Sequence, residues 1–455
     1  MDQSCTVVAN SWDSTGRPGY SYPGAESVTT DTVAPLGSLF GKDASVLEET
    51  DYQLLLLATM FPILGTALVS PVLDSVIEPF GTSPARIGLM ISFTTAPAIV
   101  LIPVAGVLAD RYGRKLVLVG SLLAFGIGGA SIVATTDFRV ILGLRAIQGV
   151  GFAGLVPTIT TSIGDMYDGA REATGQGLRM ATNGLSGALF PLLAGALVAV
   201  AWQLPFLLYG LAIPVAVVVL LRFEEPTTST GQRADQGGGD GPYLRSLLRV
   251  IRQRRALAIL VARSLPVVVW IAMFTYNSLI VVRLIGGTAF EAGLLAAVGN
   301  FLFAIAGSQA GRLTARVGSR FYPLLVGNVA LGGGLAAVFY APTVPVAILG
   351  IAVAGTGFGL TLTLYRSMIT NLAPQSLRGG VVSAGASLAR IAATATPIAM
   401  GVVLGALEPT MGFEAALRIA GLGAAVVGGG GGIVCLLIAH TAPAVRFRPE
   451  SSVEQ

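Results

Sequence analysis

The chain has 455 residues, of which 53% are hydrophobic and 11% charged, with a formal net charge of +4 and a mean hydropathy of +0.76. Ordinary soluble domains carry about 25% charged residues, so this composition excludes a water-soluble globular protein. Its apolar runs are continuous and long enough for helices of roughly 20 residues to cross a bilayer, unlike the alternating pattern of a membrane β-barrel.

Residues 1–50 are polar and lack the basic and apolar regions of a signal peptide, so they predict a disordered cytoplasmic tail. Twelve apolar runs follow, and each predicts one transmembrane helix. The runs are 53–75, 86–108, 116–134, 138–163, 176–200, 203–222, 256–283, 290–311, 321–340, 345–367, 382–405 and 414–440. The expected fold class is therefore an all-α integral membrane protein.

The predicted helices fall into two groups of six. The first bundle is expected over 51–222 and the second over 256–440, with a cytoplasmic linker over 223–255 and a cytoplasmic tail over 441–455. Arg and Lys concentrate in the loops of one side, so the positive-inside rule places both termini in the cytoplasm. This topology predicts a multi-pass protein of the cytoplasmic membrane.

A charged turn, Gly106-Val-Leu-Ala-Asp110-Arg111-Tyr-Gly113-Arg114, joins the second and third runs. A degenerate copy with Gly311, Arg316 and Gly318 follows 205 residues later (311 − 106), and Ala315 stands where the first copy has its aspartate. The pairs Gly149/Gly355 and Pro191/Pro397 share an offset of 206 (355 − 149, 397 − 191). These matches predict a six-plus-six duplication, with two pseudo-symmetric six-helix bundles and a substrate site between them at the bilayer midplane.

The first turn resembles the loop signature of the major facilitator superfamily, and the resemblance spans nearly the whole chain. It implies a secondary transporter in which Gly106, Asp110, Arg111, Gly113 and Arg114 lock the cytoplasmic side in the outward-facing state. The same family implies a conformational role for Gly311, Arg316 and Gly318, with a weaker charge lock because of Ala315. An ordinary positive-inside loop is the alternative.

Arg145 and Asp74 are the candidate coupling residues. The segment Arg145-Ala-Ile-Gln148-Gly149-Val-Gly151 resembles a fourth-helix motif of the family, whose arginine is implicated in proton coupling. An arginine at the membrane centre costs about 2.5–3.5 kcal/mol, so Arg145 either faces a partner or cavity or extends to the interface. Asp74 is either a carboxylate whose pKa shifts within the cycle or an ordinary interfacial aspartate.

Polar and aromatic residues inside the runs are candidates for the substrate cavity. They are Gln148, Asn183, Pro191, Tyr276, Asn277, Asn300, Tyr365 and Arg390. Each polar side chain could instead bond a neighbouring helix, a contribution of about 0.6 kcal/mol, and Arg390 could instead lie at the cytoplasmic end of its helix. The segment around Pro191 partly resembles the antiporter motif of drug exporters, with Phe190 in place of the glycine before the proline.

These features predict proton-coupled efflux of lipophilic compounds by alternating access. An importer or facilitator of a specific metabolite in the same fold is the alternative, and a non-transporting receptor on this fold is a third possibility. The chain lacks a phosphate-binding loop and has only one His, so no enzyme, cofactor or metal is expected. The expected partners are a small-molecule substrate, protons and the lipid bilayer, without nucleic acid, and the expected functional unit is a monomer.

Overall fold

The structure is a computed structural model that describes residues 42–225 and 241–443. The predicted tails before residue 42 and after residue 443, and linker residues 226–240, lie outside the described residues. Throughout the described ranges the chain forms helices and turns without a strand. Every contact discussed below lies within the compact unit that begins at Ser45.

The first group comprises six main helices with short helical turns between them. They are α1 Thr50–Ala67, α2 Leu89–Tyr112, α3 Arg114–Ala130, α4 Phe138–Met166, α5 Gly169–Val198 and α6 Ala212–Arg222. The short elements are Lys42–Glu48, Asp74–Val76, Pro84–Ile87, Ser131–Ala134, Leu204–Leu207 and Leu208–Leu211. The predicted linker contains a further helix, α7 Gly241–Ile251.

The second group comprises α8 to α13. They are α8 Arg254–Leu279, α9 Ala289–Val317, α10 Phe321–Phe339, α11 Val344–Thr370, α12 Gln375–Ala425 and α13 Gly431–Thr441, with single π turns at Ile280–Leu284 and Val426–Gly430. Helix α12 is broken at Gly412, whose φ of 81° and ψ of 162° are not helical. Its arms over 375–411 and 413–425 correspond to the eleventh predicted run and the start of the twelfth.

Ten segments of the described chain are long and apolar enough to cross a membrane. The last of them, Leu377–Thr441, includes the break at Gly412. Helix α1 is not among the ten because Asp51 and Gln53 make its first turn polar. The prediction of an all-helical, multi-pass membrane protein is confirmed.

The regular helix of the first predicted run is shorter than expected. It ends at Ala67, whereas the apolar run continues to residue 75. Pro71 has no N–H with which to continue the helical ladder to the Ala67 carbonyl. The chain therefore continues in turns and a short 3-10 helix at Asp74–Val76.

Glycines of the sequence repeat make equivalent contacts in the two groups. In α4, Gly149 lies against the backbone of α2 and Gly151 against that of α3. In α11, Gly355 lies against the backbone of α9 and Gly357 against that of α10. Close approach of helix backbones is the usual reason for small residues in membrane helices. Between the groups, α5 packs along α9, and α12 packs along α2.

Candidate functional site

The charged turn lies where α2 ends and α3 begins, and it defines what we call the charged side of the helices. Arg114 bridges two carboxylates there. Its Nη2 lies 2.7 Å from Oδ1 of Asp110 and its Nε 3.0 Å from Oδ2 of Asp165. The Asp110 side chain is 68% exposed, whereas those of Arg114 and Asp165 are 9% and 6% exposed. The turn therefore combines a surface ion pair with a buried one.

Glu225 completes the turn, and its role had no signal in the sequence beyond its position after the sixth run. Its carboxylate accepts hydrogen bonds from the backbone N–H groups of Arg114 and Lys115, the first free donors of α3. A carboxylate at a helix N-terminus is favourable with respect to the helix dipole. Gly113 lies beside it with φ of 96°, and an added Cβ would lie within 3.0 Å of the Glu225 carboxylate. The backbone angle favours glycine, and an added Cβ would require the Glu225 carboxylate to move.

The two carboxylate partners of Arg114 are expected to respond differently to mutation. Asp110→Asn should leave the unfolding temperature almost unchanged, because exposed ion pairs contribute about 0.2–1 kcal/mol, but should slow transport if the turn is a gate. Arg114→Ala should lower the unfolding temperature, because Asp165 loses a buried cationic partner. Thermal unfolding in detergent and solute flux in vesicles measure the two effects. Equal unfolding temperatures for both variants would contradict the assignment.

The second copy of the turn is more open. An added Cβ at Gly311 would meet no atom within 4 Å, and Arg316 is exposed. Gly318 ends α9 in the left-handed conformation with φ of 67°. Within the described part of the chain, no carboxylate pairs with Arg316. The expected conformational role of this copy stays a prediction.

Arg145 is fully buried, and all its hydrogen bonds to described residues lie inside the first group. Its Nε donates to the Met90 carbonyl oxygen at 3.0 Å and its Nη2 to that of Gly65 at 2.7 Å. Its Nη1 donates to Gln148 Oε1 and, at 3.3 Å, to Tyr209 Oη. Gly65 belongs to the last turn of α1, where carbonyls lack helical partners and a cation is favourable. The side chain therefore does not extend to the interface, and it joins four helices of one group.

On the opposite side, polar contacts join the two groups. Asp74 forms an ion pair with Arg283, and the Asp74 N–H donates to Ser278 Oγ at 3.0 Å. The Asn277 side chain donates to the Ala292 carbonyl at 2.7 Å and to Ser70 Oγ at 3.3 Å. These bonds connect the segment after α1 to α8 and α9. Asp74 thus has a partner from the other group that the sequence did not reveal.

The helices at the border of the groups are also tightly packed on the opposite side. Ser92 Oγ of α2 donates to the Thr394 carbonyl of α12 at 2.9 Å. Asn300 Nδ2 of α9 donates to the Gly187 carbonyl of α5 at 2.7 Å. Gly293 lies against the Pro191 carbonyl, too close for an added Cβ.

The same four helices are apart on the charged side. Four glycines on the charged-side halves of these helices have open space beside them. They are Gly106 in α2, Gly177 in α5, Gly311 in α9 and Gly379 in α12, and an added Cβ at each would meet no atom of the described residues within 4 Å. The described contacts between the groups therefore close the opposite side and leave the charged side open.

The remaining cavity candidates separate into two sets. Gln148 and Tyr365 are buried within single groups: Gln148 bonds Arg145, and Tyr365 Oη accepts from Asn328 at 3.0 Å. Tyr276 is buried without a hydrogen-bond partner for its hydroxyl within the described residues. These three side chains support packing in this structure.

Asn183 and Arg390 remain as candidates at the border of the groups. Asn183 is half-buried on α5, one residue before Gly184, which faces Ala304 of α9. The Arg390 guanidinium of α12 lies over the Phe152 ring of α4, 4.8 Å from its centroid. Arg390 therefore does not lie at the end of its helix but between the two groups.

Three further arginines lie within the helices: Arg179, Arg263 and Arg366. An ionisable residue inside a membrane helix is itself a signal of function, and this signal was present in the sequence. The sequence alone does not single them out, because each lies within about twelve residues of a helix end, where an arginine side chain often extends to the membrane interface.

The protein is a multi-pass helical protein with repeated glycine contacts, and its two groups of helices are closed against each other on one side. This is the architecture of a secondary transporter. The Major Facilitator Superfamily model matches residues 55–397. The chain belongs to this family, whose members are transporters and not enzymes.

Curated relatives of the chain include exporters. The bacillibactin exporter of Bacillus subtilis (strain 168) is 35% identical over 150 residues, which cover 31% of this chain and 37% of that protein. The quinolone resistance protein NorA of Staphylococcus aureus (strain MRSA252) is 27% identical over 176 residues, which cover 38% of this chain and 45% of NorA. The match thus spans less than half the length of either relative.

Solved structures share the fold over most of the chain. A bacterial homolog of the human lysosomal transporter Spinster, in an inward-facing and unoccupied conformation, has a TM-score of 0.74 at 18% identity and covers 92% of this chain and all of that one (100%). The nucleoside transporter NupG has a TM-score of 0.70 at 13% identity, covering 84% and 99%. At these identities the likeness concerns the fold alone.

Proposed function

We propose that this chain exports a small organic solute across the cytoplasmic membrane in exchange for protons, by alternating access. The observation that carries the proposal is the one-sided closure described above. Contacts between the groups close the opposite side, and the border helices are apart on the charged side. A carrier must alternate between such a state and its converse.

The proposed topology has twelve spans in two six-helix bundles. The ten apolar segments, α1 and the division of the last segment at Gly412 together support this number. The bundles occupy 51–222 and 256–440, joined by the linker 223–255. With both termini cytoplasmic, as the positive-inside rule requires, the charged side faces the cytoplasm and the structure is inward-facing. The tails 1–50 and 441–455 are then cytoplasmic, and the functional unit is a monomer without a nucleic-acid partner.

Efflux is supported by the curated relatives, since both are named for export or drug resistance. Proton exchange is supported by Asp74, whose side chain is 13% exposed and whose partner Arg283 belongs to the other bundle. A carboxylate whose environment changes as the bundles separate is suited to bind and release a proton. Arg145 lacks such a change within its own bundle, so its coupling role rests on the family resemblance.

Flux measurements in inverted vesicles test this function. Two permanently charged probes with one ring system serve as solutes: naphthalene-2-sulfonate, an anion, and trimethyl(2-naphthyl)ammonium, a cation. An acidic lumen is expected to drive accumulation of at least one probe, and a protonophore is expected to abolish it. Accumulation that is insensitive to the proton gradient would contradict exchange. Uptake only in right-side-out vesicles would indicate the importer instead.

A further inference from the structure

Four arginines lie inside helices of the two bundles, one in the first bundle and three in the second. They are Arg179 of α5, Arg263 of α8, Arg366 of α11 and Arg390 of α12, and we call them the arginine ladder. Arg179 experiences the like charge of Arg366 across the border of the bundles. Arg263 experiences the like charges of both Arg366 and Arg390. The four guanidinium groups therefore share one electrostatic environment.

The ladder extends from the charged side to the middle of the helices. At a rise of 1.5 Å per residue, Arg366 lies about 6 Å from the end of α11 at Thr370. Arg263 and Arg179 lie about 14–15 Å from the starts of their helices, and Arg390 about 22 Å from the start of α12. The deepest member also contacts Phe152 of the other bundle, so it faces the central space and not lipid.

The ladder has no countercharge within the described residues. None of its members forms an ion pair there, and a buried Nη1 of Arg263 lacks a hydrogen-bond partner. Arg179 Nε bonds only the neutral Gln176 side chain, at 2.9 Å. The buried carboxylate of Asp165 and the partly buried one of Asp74 are engaged by arginines outside the ladder, Arg114 and Arg283. A low-dielectric space lined by one sign of charge concentrates solutes of the opposite sign.

An aromatic cluster adjoins the ladder in the second bundle. Trp270 of α8 lies two turns beyond Arg263, on the same face of the helix. It stacks on Phe358 of α11 with ring centroids 4.4 Å apart and an interplanar angle of 4°. Phe303 of α9 lies 5.1 Å from Phe358 and 6.1 Å from Trp270. Trp270 and Phe303 are only partly buried, so part of this apolar surface is accessible.

We propose that the arginine ladder and the aromatic cluster together bind an organic anion with a flat apolar body. The anionic group would accept hydrogen bonds from Arg263 and Arg390, and the body would lie against Trp270 and Phe303. This inference rests on the proposed function, since it names the chemical class of the exported solute. It also narrows the expected lipophilic solutes to organic anions with an apolar body.

Binding to the purified protein in nanodiscs tests the inference without requiring transport. Equilibrium dialysis compares naphthalene-2-sulfonate with trimethyl(2-naphthyl)ammonium. Wild-type protein is expected to bind the anion and not the cation. Arg263→Gln and Arg390→Gln should each weaken anion binding at least about tenfold, the loss expected when a charged donor is removed. Arg320→Gln, on the exposed charged-side turn before α10, is the matched control and should bind as wild type.

Two variants keep the test decisive if a glutamine variant fails to fold. Arg390→Lys keeps the charge and should retain part of the affinity for the anion. Trp270→Leu should weaken binding of the anion without creating affinity for the cation. Equal binding of the two probes, or wild-type binding by the Arg263→Gln/Arg390→Gln double variant, would overturn the inference. Flux of the cation alone would support efflux and contradict the anion site. Anion binding without flux of either probe would support the anion site and contradict efflux.

Discussion

Replacing Gly401 by alanine is expected to slow transport about fivefold or more by preventing closure of the opposite side. An added Cβ at Gly401 of α12 would overlap the Ala85 carbonyl oxygen at the start of the short helix before α2. A backbone atom has little freedom to move away, and such overpacking costs about 1–3 kcal/mol. Since each 1.4 kcal/mol is a factor of ten, the equilibrium should shift about 5- to 150-fold away from the inward-facing state.

Gly405 provides the control for this experiment. It lies one turn further along α12 and faces the same residue, but an added Cβ would lie 3.5 Å from the Ala85 Cβ, an ordinary contact. Gly405→Ala should therefore transport at nearly the wild-type rate. Initial flux rates of the two variants, at matched amounts of protein in the vesicles, make the comparison. Similar rates would show that closure at this position is not part of the cycle.

Arg145→Ala is expected to destabilise the first bundle and abolish transport. The Gly65 and Met90 carbonyls would lose a charged donor in a buried environment, at about 1–3 kcal/mol for each unsatisfied group. Tyr209→Phe removes the bond from Arg145 to the Tyr209 hydroxyl at 3.3 Å and the bond from that hydroxyl to the Leu64 carbonyl at 3.1 Å. It leaves the charged Arg145 bonds to Gly65 and Met90 in place and should have a smaller effect in the same direction. Thermal unfolding of the purified proteins measures both.

Arg139→Ala is the matched control for Arg145→Ala, because Arg139 is exposed in the first turn of the same helix. It should unfold at the wild-type temperature. If Arg145→Ala also unfolded at that temperature while its flux no longer responded to the proton gradient, Arg145 would be a coupling residue. The buried hydrogen-bond network of Arg145 would then not be the main reason that transport requires this residue.

The fold was largely predictable because a bilayer imposes a simple pattern on sequence. Long apolar runs predicted the helices, and the offset of 206 between paired glycines predicted equivalent contacts in α4 and α11. Helix ends were less predictable. The proline at position 71 ends regular α1 early, whereas the break at Gly412 falls between the two predicted runs 382–405 and 414–440.

The site was less predictable because polar contacts depend on side-chain pairs from distant parts of the chain. Asp74 and Arg283 are 209 residues apart in the sequence. No local motif can reveal such a pair. Gln148 and Tyr365 have the same polar character in the sequence as the candidates Asn183 and Arg390, and only packing shows that they are buried within single bundles. Glu225 is recognisable as a cap only once α6 is placed beside the start of α3.

Burial and a nearby charge also determine the protonation state of Tyr167, a residue at the charged side whose role hydropathy does not reveal. Burial raises the pKa of Tyr167, and the Glu49 carboxylate, which accepts its hydroxyl at 2.6 Å, raises it further. Tyr167 is therefore a neutral donor throughout the physiological range. It holds the start of α1 to the segment between α4 and α5.

Distances between spin labels on the two sides test alternating access most directly. One pair carries Gly106→Cys and Gly379→Cys on the charged side, the other Arg86→Cys and Val402→Cys on the opposite side, with the native Cys5 and Cys435 replaced by serine. Without solute, we predict a long charged-side distance and a short opposite-side distance. With a naphthalene probe bound and a proton gradient imposed, the charged-side distance should shorten and the opposite-side distance should lengthen. Distances that change together, or not at all while flux proceeds, would contradict the account.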